Sequence, residues 1–213
     1  MIRTLQDNRR WMREGTDSFL HVLSALDDTA WERPTHLSGW TRRHMVAHVA
    51  ANADAVGNLV RWAATGVETP MYRSASDRAE GIAKGDQLAP EELVSWVKQS
   101  ASELESAMAE LGDAQWQQLV VTAQGRTVSA SETPWMRSRE VMVHAVDLDG
   151  GVSFADLPED FLTALREDIE TKRGHVPEVM GDIAEVVSYL AGRPYRGVTT
   201  PTGDPAPALG PWL

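Results

Sequence analysis

The chain has 213 residues, no cysteine and a formal net charge of −11, with 42% hydrophobic and 24% charged residues. This composition supports a folded core rather than disorder, and the length suits a bundle with a small appendage. The lack of cysteine excludes disulfides, thiolate metal ligands and a cysteine nucleophile, so any thiol chemistry needs a sulfur from outside. The acidic balance disfavours nucleic acid as a partner. No stretch approaches the ~18 apolar residues that a membrane span requires.

The N-terminal stretch MIRTLQDNRRWMREGTDSF is charged and amphipathic, without the apolar core or cleavage site of a signal peptide. We therefore expect a cytoplasmic protein, and its acidic surface is compatible with a monomer. Arginines gather locally at Arg42 and Arg43 and again at Arg137 and Arg139. Such pairs could hold an anionic small molecule, although solvated helix ends are the simpler interpretation of any one of them.

Helical periodicity predicts the first elements of the chain. Thr41 is a plausible N-cap for the second helix, Gly66 ends that helix, and Pro90 opens the third long helix at its first position. The predicted helices span about residues 5–26, 42–64, 77–83 (a short one) and 90–111.

The stretch LVVTAQGRTVS has β-branched runs on both sides of Gln124-Gly125, which indicates a short hairpin or an extended excursion. Thr133 and Pro134 then suit the N-cap and first position of a fourth long helix that runs to about Leu148. Four long helices with one extended crossing predict a mainly α protein, with a four-helix bundle over residues 1–150. A small C-terminal region, residues 151–213, should hold two helices, over 157–172 and 177–191, and a surface tail.

Glu140 and His144 lie four residues apart on the fourth helix and therefore share one face. His48 lies on the second helix beside that helix's apolar stripe. Together the three side chains would give a divalent metal, zinc in particular, three ligands and open positions, which is the catalytic pattern. Asp147 or Asn52 could orient a histidine from behind.

Spacing alone leaves other interpretations open. A Glu and a His four residues apart on a helix often occur together by chance, and a lone buried histidine is more commonly a core residue. Glu140 could instead form a salt bridge with Arg137 or Arg43.

Two longer stretches carry a family resemblance. GWTRRHMVAHVAANA and WMRSREVMVHAVDL resemble mycothiol-dependent maleylpyruvate isomerases, as does the tail segment YLAGRPYRGVTTPTG. That family belongs to the DinB-like metalloenzyme bundles. By resemblance, the zinc ligands fall on His48, Glu140 and His144, and an arginine important to activity falls on Arg193.

The resemblance implies a thiol-dependent cis-trans isomerase that converts maleylpyruvate to fumarylpyruvate in gentisate breakdown. Mycothiol would supply the sulfur, and zinc would lower the pKa of the thiol. The thiolate would add to the cis double bond, the resulting single bond would rotate, and elimination would leave the trans isomer. Cationic groups would hold the anionic substrate, with Arg193 first and Arg126 and Arg139 as weaker candidates.

One departure from the family pattern concerns the C-terminal region. Only TKRGHVPEVMGD separates the two predicted helices there, which leaves little room for the strands expected of the family's α/β domain. We therefore expect a shortened C-terminal region. Such a region would also suit a mycothiol or other small-thiol S-transferase acting on a different electrophile. A third hypothesis, a non-catalytic bundle that binds a metal or a small ligand, is disfavoured by the intact ligand positions.

Overall fold

The computed structural model describes residues 3–210 and residue 212. The chain forms two compact units: Leu5–Gly150, and the described residues from Gly151 onward together with Arg3 and Thr4. None of the helices in the described part of the chain is long and apolar enough to cross a bilayer.

The larger unit is a bundle of four long helices with two short ones between them. The helices are α1 (Leu5–Ser24), α2 (Arg42–Thr65), α3 (Ala75–Gly85), α4 (Pro90–Ala109), α5 (Asp113–Trp116) and α6 (Thr133–Asp147). Helix α1 packs along α6, and α2 packs along α4 and also contacts α6. Met12, Leu59 and Leu104 lie in the buried core between them. The predicted mainly α four-helix bundle is therefore confirmed.

The ends of α2 follow its sequence signals. The Thr41 side chain accepts a hydrogen bond from the His44 backbone N–H, and the left-handed Gly66 (φ 72°) donates its own N–H to the Trp62 carbonyl. These contacts satisfy backbone groups that a helix end leaves unpaired. As predicted, Pro90 is the first residue of α4. Helix α2, which carries His48, is thus fixed at both ends.

The predicted hairpin is present as strand β1 (Leu119–Val121) paired antiparallel with β2 (Thr127–Ser129). Gly125 takes a positive φ of 76° in its turn, a conformation that glycine adopts without strain. Thr133, however, is the first residue of α6 rather than its N-cap. The chain enters α6 through a 3-10 turn, and the Thr133 hydroxyl donates to the Ala130 carbonyl at 2.7 Å.

Helices α1 and α6 approach each other most closely at Gly15. A Cβ added at Gly15 would lie 2.6 Å from Val141 Cγ2 and 2.9 Å from Met142 Cγ. The hydrogen atom of glycine is therefore what allows α1 to seat against α6. This contact fixes the helix that carries Glu140 and His144.

The C-terminal unit contains a 3-10 turn and two helices, α7 (Glu159–Arg173) and α8 (Ile183–Leu190), which pack against each other. The prediction that the second of these helices begins near Pro177 is wrong. Helix α8 begins only at Ile183, where the Asp182 side chain accepts from the Ala184 N–H. Before it, Met180 exchanges backbone hydrogen bonds of 2.8 and 3.0 Å with Thr199. The extended pairing explains the late start of the helix.

The tail was predicted to lie along the surface, but part of it is buried. Val198, Ala206 and Trp212 are buried, and the Tyr189 hydroxyl donates to the Pro207 carbonyl at 2.7 Å. The apolar residues between the tail's prolines and glycines are what pack against this unit. Their burial gives the C-terminal unit a core that two helices alone would lack.

Candidate metal centre

The structure brings His48, Glu140 and His144 together. His48 lies in the first half of α2, and Glu140 and His144 lie one helical turn apart on the adjacent α6. One potential ligand atom from each of the three lies within 4.8 Å of the other two. His48 and His144 are largely buried, while the Glu140 side chain is 27% exposed. The three side chains thus meet at a largely buried place, where Glu140 is the most exposed of the three.

A single oxygen of Glu140 lies between the two imidazoles. Glu140 Oε2 is 2.9 Å from His48 Nε2 and 3.2 Å from His144 Nε2. Donor atoms that bind one tetrahedral zinc at about 2.05 Å are about 3.3 Å apart. The observed distances are close to that spacing, and the donor set of two imidazoles and a carboxylate suits zinc. The residues present therefore fit a bound metal with at least one open coordination position.

Asp147 orients His144 from behind. Its Oδ2 lies 2.9 Å from His144 Nδ1, and its side chain is fully buried. A carboxylate at Nδ1 holds the proton there, which turns the Nε2 lone pair toward a metal. The sequence proposed Asp147 or Asn52 for this role. The structure gives the contact to Asp147, whereas Asn52 accepts a hydrogen bond from Arg137.

The protonation states of the three residues differ. Burial lowers the pKa of His48, even though Glu140 acts in the opposite direction. Burial would also lower the pKa of His144, but hydrogen bonds to Asp147 and Glu140 outweigh it and raise that pKa to about 9. Burial would raise the pKa of Glu140, yet hydrogen bonds from His144 and His48 hold it well below its ordinary value. Without a metal, the centre at neutral pH therefore holds a carboxylate, a neutral His48 and a protonated His144.

The two arginines that the sequence offered as salt-bridge partners of Glu140 bind other residues. Arg43 pairs with Glu32 at 2.8 Å. Arg137 is buried and donates to the Val49 carbonyl at 2.7 Å and to Asn52 Oδ1 at 2.9 Å. Arg137 thus ties α6 to α2 next to His48. It helps to keep the two helices that carry the centre in register.

Of the residues around the centre, Arg78 and Tyr72 were not predicted from the sequence as functional groups. Trp40 packs edge-on against the His48 ring with 5.3 Å between centroids. Arg78 Nη2 lies 3.5 Å from His48 Nδ1. Tyr72 is close enough to Arg78 and Glu140 for both to influence its pKa, which burial raises. Arg78 and Tyr72 belong to a short helix and the loop before it, and their spacing in the sequence gives no signal that they meet His48.

The three arginines predicted to bind the substrate, Arg193, Arg139 and Arg126, differ from one another in their surroundings. Arg193 is buried in the C-terminal unit and donates to the Ala191 carbonyl at 2.6 Å and the Trp212 carbonyl at 3.2 Å. Arg139 lies over the Trp135 ring at 5.8 Å. Arg126 is exposed in the hairpin turn. A substrate role for these residues stays a prediction.

The sequence-family model of the mycothiol maleylpyruvate isomerase N-terminal domain matches residues 12–149 of this chain. That span contains all three predicted ligands. The chain belongs to this family. A crystal structure of a mycothiol-dependent maleylpyruvate isomerase is 39% identical, with 97% of this chain and 98% of the other covered and a TM-score of 0.89. A histidine-to-alanine mutant of such an isomerase matches with the same values. No curated protein sequence matches the chain.

YfiT from Bacillus subtilis is 16% identical over 68% of this chain and 85% of its own, with a TM-score of 0.54. It has a four-helix bundle as this chain does, and that likeness concerns the fold alone. The full-length isomerase match also corrects one expectation. Because 98% of that relative is covered, the C-terminal region of this chain is not shortened relative to it. The extended segments of this chain flank its last helix, at Met180 and Thr199, where no strand was expected.

Proposed function

We propose that this protein is a mycothiol-dependent maleylpyruvate isomerase with zinc at the His48, Glu140 and His144 centre. The observation that carries the proposal is the intact trio inside a chain that is 39% identical to such an isomerase over nearly its whole length. A protein that had lost its metal chemistry would not be expected to keep all three donor residues at this spacing.

Zinc bound at this centre would supply a Lewis acid that lowers the pKa of a thiol. His48 and His144 would hold the ion through Nε2, and Glu140 through Oε2. The chain has no cysteine, so the reacting sulfur comes from the cofactor. Asp147 keeps His144 in the tautomer that leaves Nε2 available, and the ring of Trp40 limits the rotation of His48.

The proposed reaction is a reversible addition. Mycothiol, when bound, would supply a nucleophilic sulfur that adds reversibly to one carbon of the cis double bond. The bond could then rotate as a single bond before the same sulfur left and the double bond re-formed in the trans geometry. No atom is gained or lost overall.

The anionic substrate needs cationic groups, and we retain Arg193 as the proposed one in the C-terminal unit. Its hydrogen bonds to the Ala191 and Trp212 carbonyls also give it a structural role in holding the tail. An Arg193→Lys variant separates the two. If the tail contact is all that matters, turnover should fall only in proportion to the loss of folded protein, whereas a substrate role predicts a raised KM in fully folded protein.

The S-transferase hypothesis loses its main support. It rested on a shortened C-terminal region and a wider pocket, and the region has the length found in the isomerase relative. A place in gentisate breakdown remains part of the proposal on the family resemblance. A cytoplasmic location remains part of it on the charged, amphipathic N-terminal stretch, and a monomeric state on the acidic balance of the chain.

The deciding experiment follows the absorbance of maleylpyruvate with purified, zinc-loaded protein, with and without mycothiol. Thiol-dependent formation of fumarylpyruvate is the expected result. Formation of a stable thioether adduct in place of the trans isomer would favour the transferase. Absence of any thiol-dependent change, with zinc bound at one equivalent, would contradict the proposal.

A further inference from the structure

We propose that Arg78 and Tyr72 form a carboxylate-binding subsite beside the metal centre, which holds an anionic end of the substrate. This inference rests on the proposed function and adds a residue pair to it from the bundle itself. It begins from the position of Arg78. The guanidinium Nη2 is 3.5 Å from Nδ1 of His48, whereas Glu140 lies at the other ring nitrogen, Nε2.

Arg78 has an exposed guanidinium without a carboxylate partner. Among the described residues, none of the Asp and Glu oxygens lies within ion-pair distance of it. Arg73, on the same segment, differs because it pairs with Asp77 at 2.8 Å. In a chain with a net charge of −11, an unpaired cation next to a metal centre is a local attraction for an anion.

The contact that Arg78 makes in this structure is weak. A distance of 3.5 Å is at the outer limit of a hydrogen bond, and an imidazole nitrogen is a single neutral acceptor. A metal on Nε2 leaves the ring proton of His48 on Nδ1, so the metal-bound ring has no acceptor to offer Arg78. The guanidinium would then be free to take a carboxylate, for which its planar pair of donors is suited.

Tyr72 provides a second donor on the same side. It lies in the loop before α3 and is half-buried against the bundle core. Burial raises its pKa, the positive charge of Arg78 acts to lower it, the charge of Glu140 acts to raise it further, and a hydrogen bond donated by Arg78 also acts to lower it. These interactions put the phenol near both Arg78 and Glu140. The phenol is neutral at physiological pH and can donate to an anionic oxygen next to the guanidinium.

Helix α3 gives this pair a fixed place. It packs against α2, the helix that carries His48, and the Ser74 side chain caps it by accepting from the Asp77 N–H. Arg78 therefore projects from an ordered element rather than from a free loop. A substrate with a carboxylate at one end would have that end on Arg78 and Tyr72, and its reacting carbons toward the open side of the metal centre.

The test compares Arg78→Ala, Arg78→Lys and Tyr72→Phe with Arg73→Ala as the matched control. Steady-state kinetics with maleylpyruvate and mycothiol give KM and kcat for each variant. Calorimetric titration of zinc-loaded protein with maleate, a dicarboxylate probe, without thiol gives a binding readout that needs no turnover. Zinc content and thermal unfolding are measured on the same samples.

We expect Arg78→Ala to raise KM and weaken maleate binding about 10- to 100-fold, the range for losing a charge-assisted hydrogen-bonding partner. Arg78→Lys should recover part of the loss, Tyr72→Phe should show a smaller one, and Arg73→Ala should stay within about twofold of wild type. Zinc content should stay at one equivalent throughout.

Equal maleate affinity and KM in wild type and Arg78→Ala would overturn the inference. Loss of zinc in Arg78→Ala would also overturn it, because Arg78 would then act on the metal centre. A wild-type protein without turnover would overturn the proposed function instead. The maleate titration would still decide on the subsite in that case, through its dependence on Arg78.

Discussion

Asp147 Oδ2 accepts a hydrogen bond from His144 Nδ1 at 2.9 Å, and the carboxylate has no exposure to solvent. Because this contact holds the Nε2 lone pair toward the centre, we expect Asp147→Asn to lower zinc affinity about 10- to 100-fold without removing a ligand. Competition with a chromogenic chelator measures this. Asp149→Asn is the control, since its side chain is 67% exposed. Unchanged affinity in Asp147→Asn would show that the tautomer is set in another way.

Removal of the His48 side chain should abolish the binding of zinc at one equivalent. The His48→Ala variant keeps only Glu140 and His144, which are too few for a stable zinc site. We expect the zinc content to fall from about one equivalent to near zero while the helical circular dichroism is preserved. His21→Ala, on the exposed face of α1, should keep its zinc. A His48→Ala protein that still binds one equivalent would contradict the assigned centre.

Zinc affinity should rise with pH through the neutral range. The pKa of Glu140 is held well below its ordinary value and the pKa of His48 is lowered, so neither has a proton to lose at neutral pH. His144, with a pKa of about 9, is the ligand that must still lose one.

Binding at neutral pH should therefore release close to one proton, and the apparent affinity should rise about tenfold per pH unit until about pH 9. Calorimetry in buffers with different ionisation enthalpies measures the released protons. An affinity that is constant between pH 6.5 and 8.5 would contradict this assignment.

The Gly15 contact gives a prediction about stability. Gly15→Ala would force α1 away from Val141 and Met142, and we expect it to lower the free energy of unfolding by roughly 1–3 kcal/mol. Gly57, within α2, has no atom within 4 Å of an added Cβ. Gly57→Ala should raise stability by up to about 1 kcal/mol because alanine favours the helix. Urea unfolding followed by circular dichroism compares the two. Equal changes in the free energy of unfolding for the two variants would show that α1 and α6 can shift to accommodate an alanine Cβ at residue 15.

The bundle could be predicted because its boundaries are marked locally. Thr41, Gly66 and Pro90 have side chains or backbone preferences that act within one helical turn, and the hairpin turn has Gly125. The start of α8 could not be read in this way. Its position depends on the pairing of Met180 with Thr199, which lie far apart in the sequence.

The centre could be predicted in part for the same reason. Glu140 and His144 share a helix face through their spacing in the sequence. The prediction that His48 lies next to them depends on the motif resemblance and on its place on a neighbouring helix. Arg78 and Tyr72 reach the centre through the path of the loop between α2 and α3. A loop path leaves no periodic signal, so only the folded chain shows their proximity.

Glu140 Oε2 lies 2.9 Å from His48 Nε2 and 3.2 Å from His144 Nε2, although the two histidines belong to different helices. The packing of α2 against α6 therefore sets the spacing of the three donors. A substitution that shifted one of these helices along the other would impair the centre even with all three ligands intact.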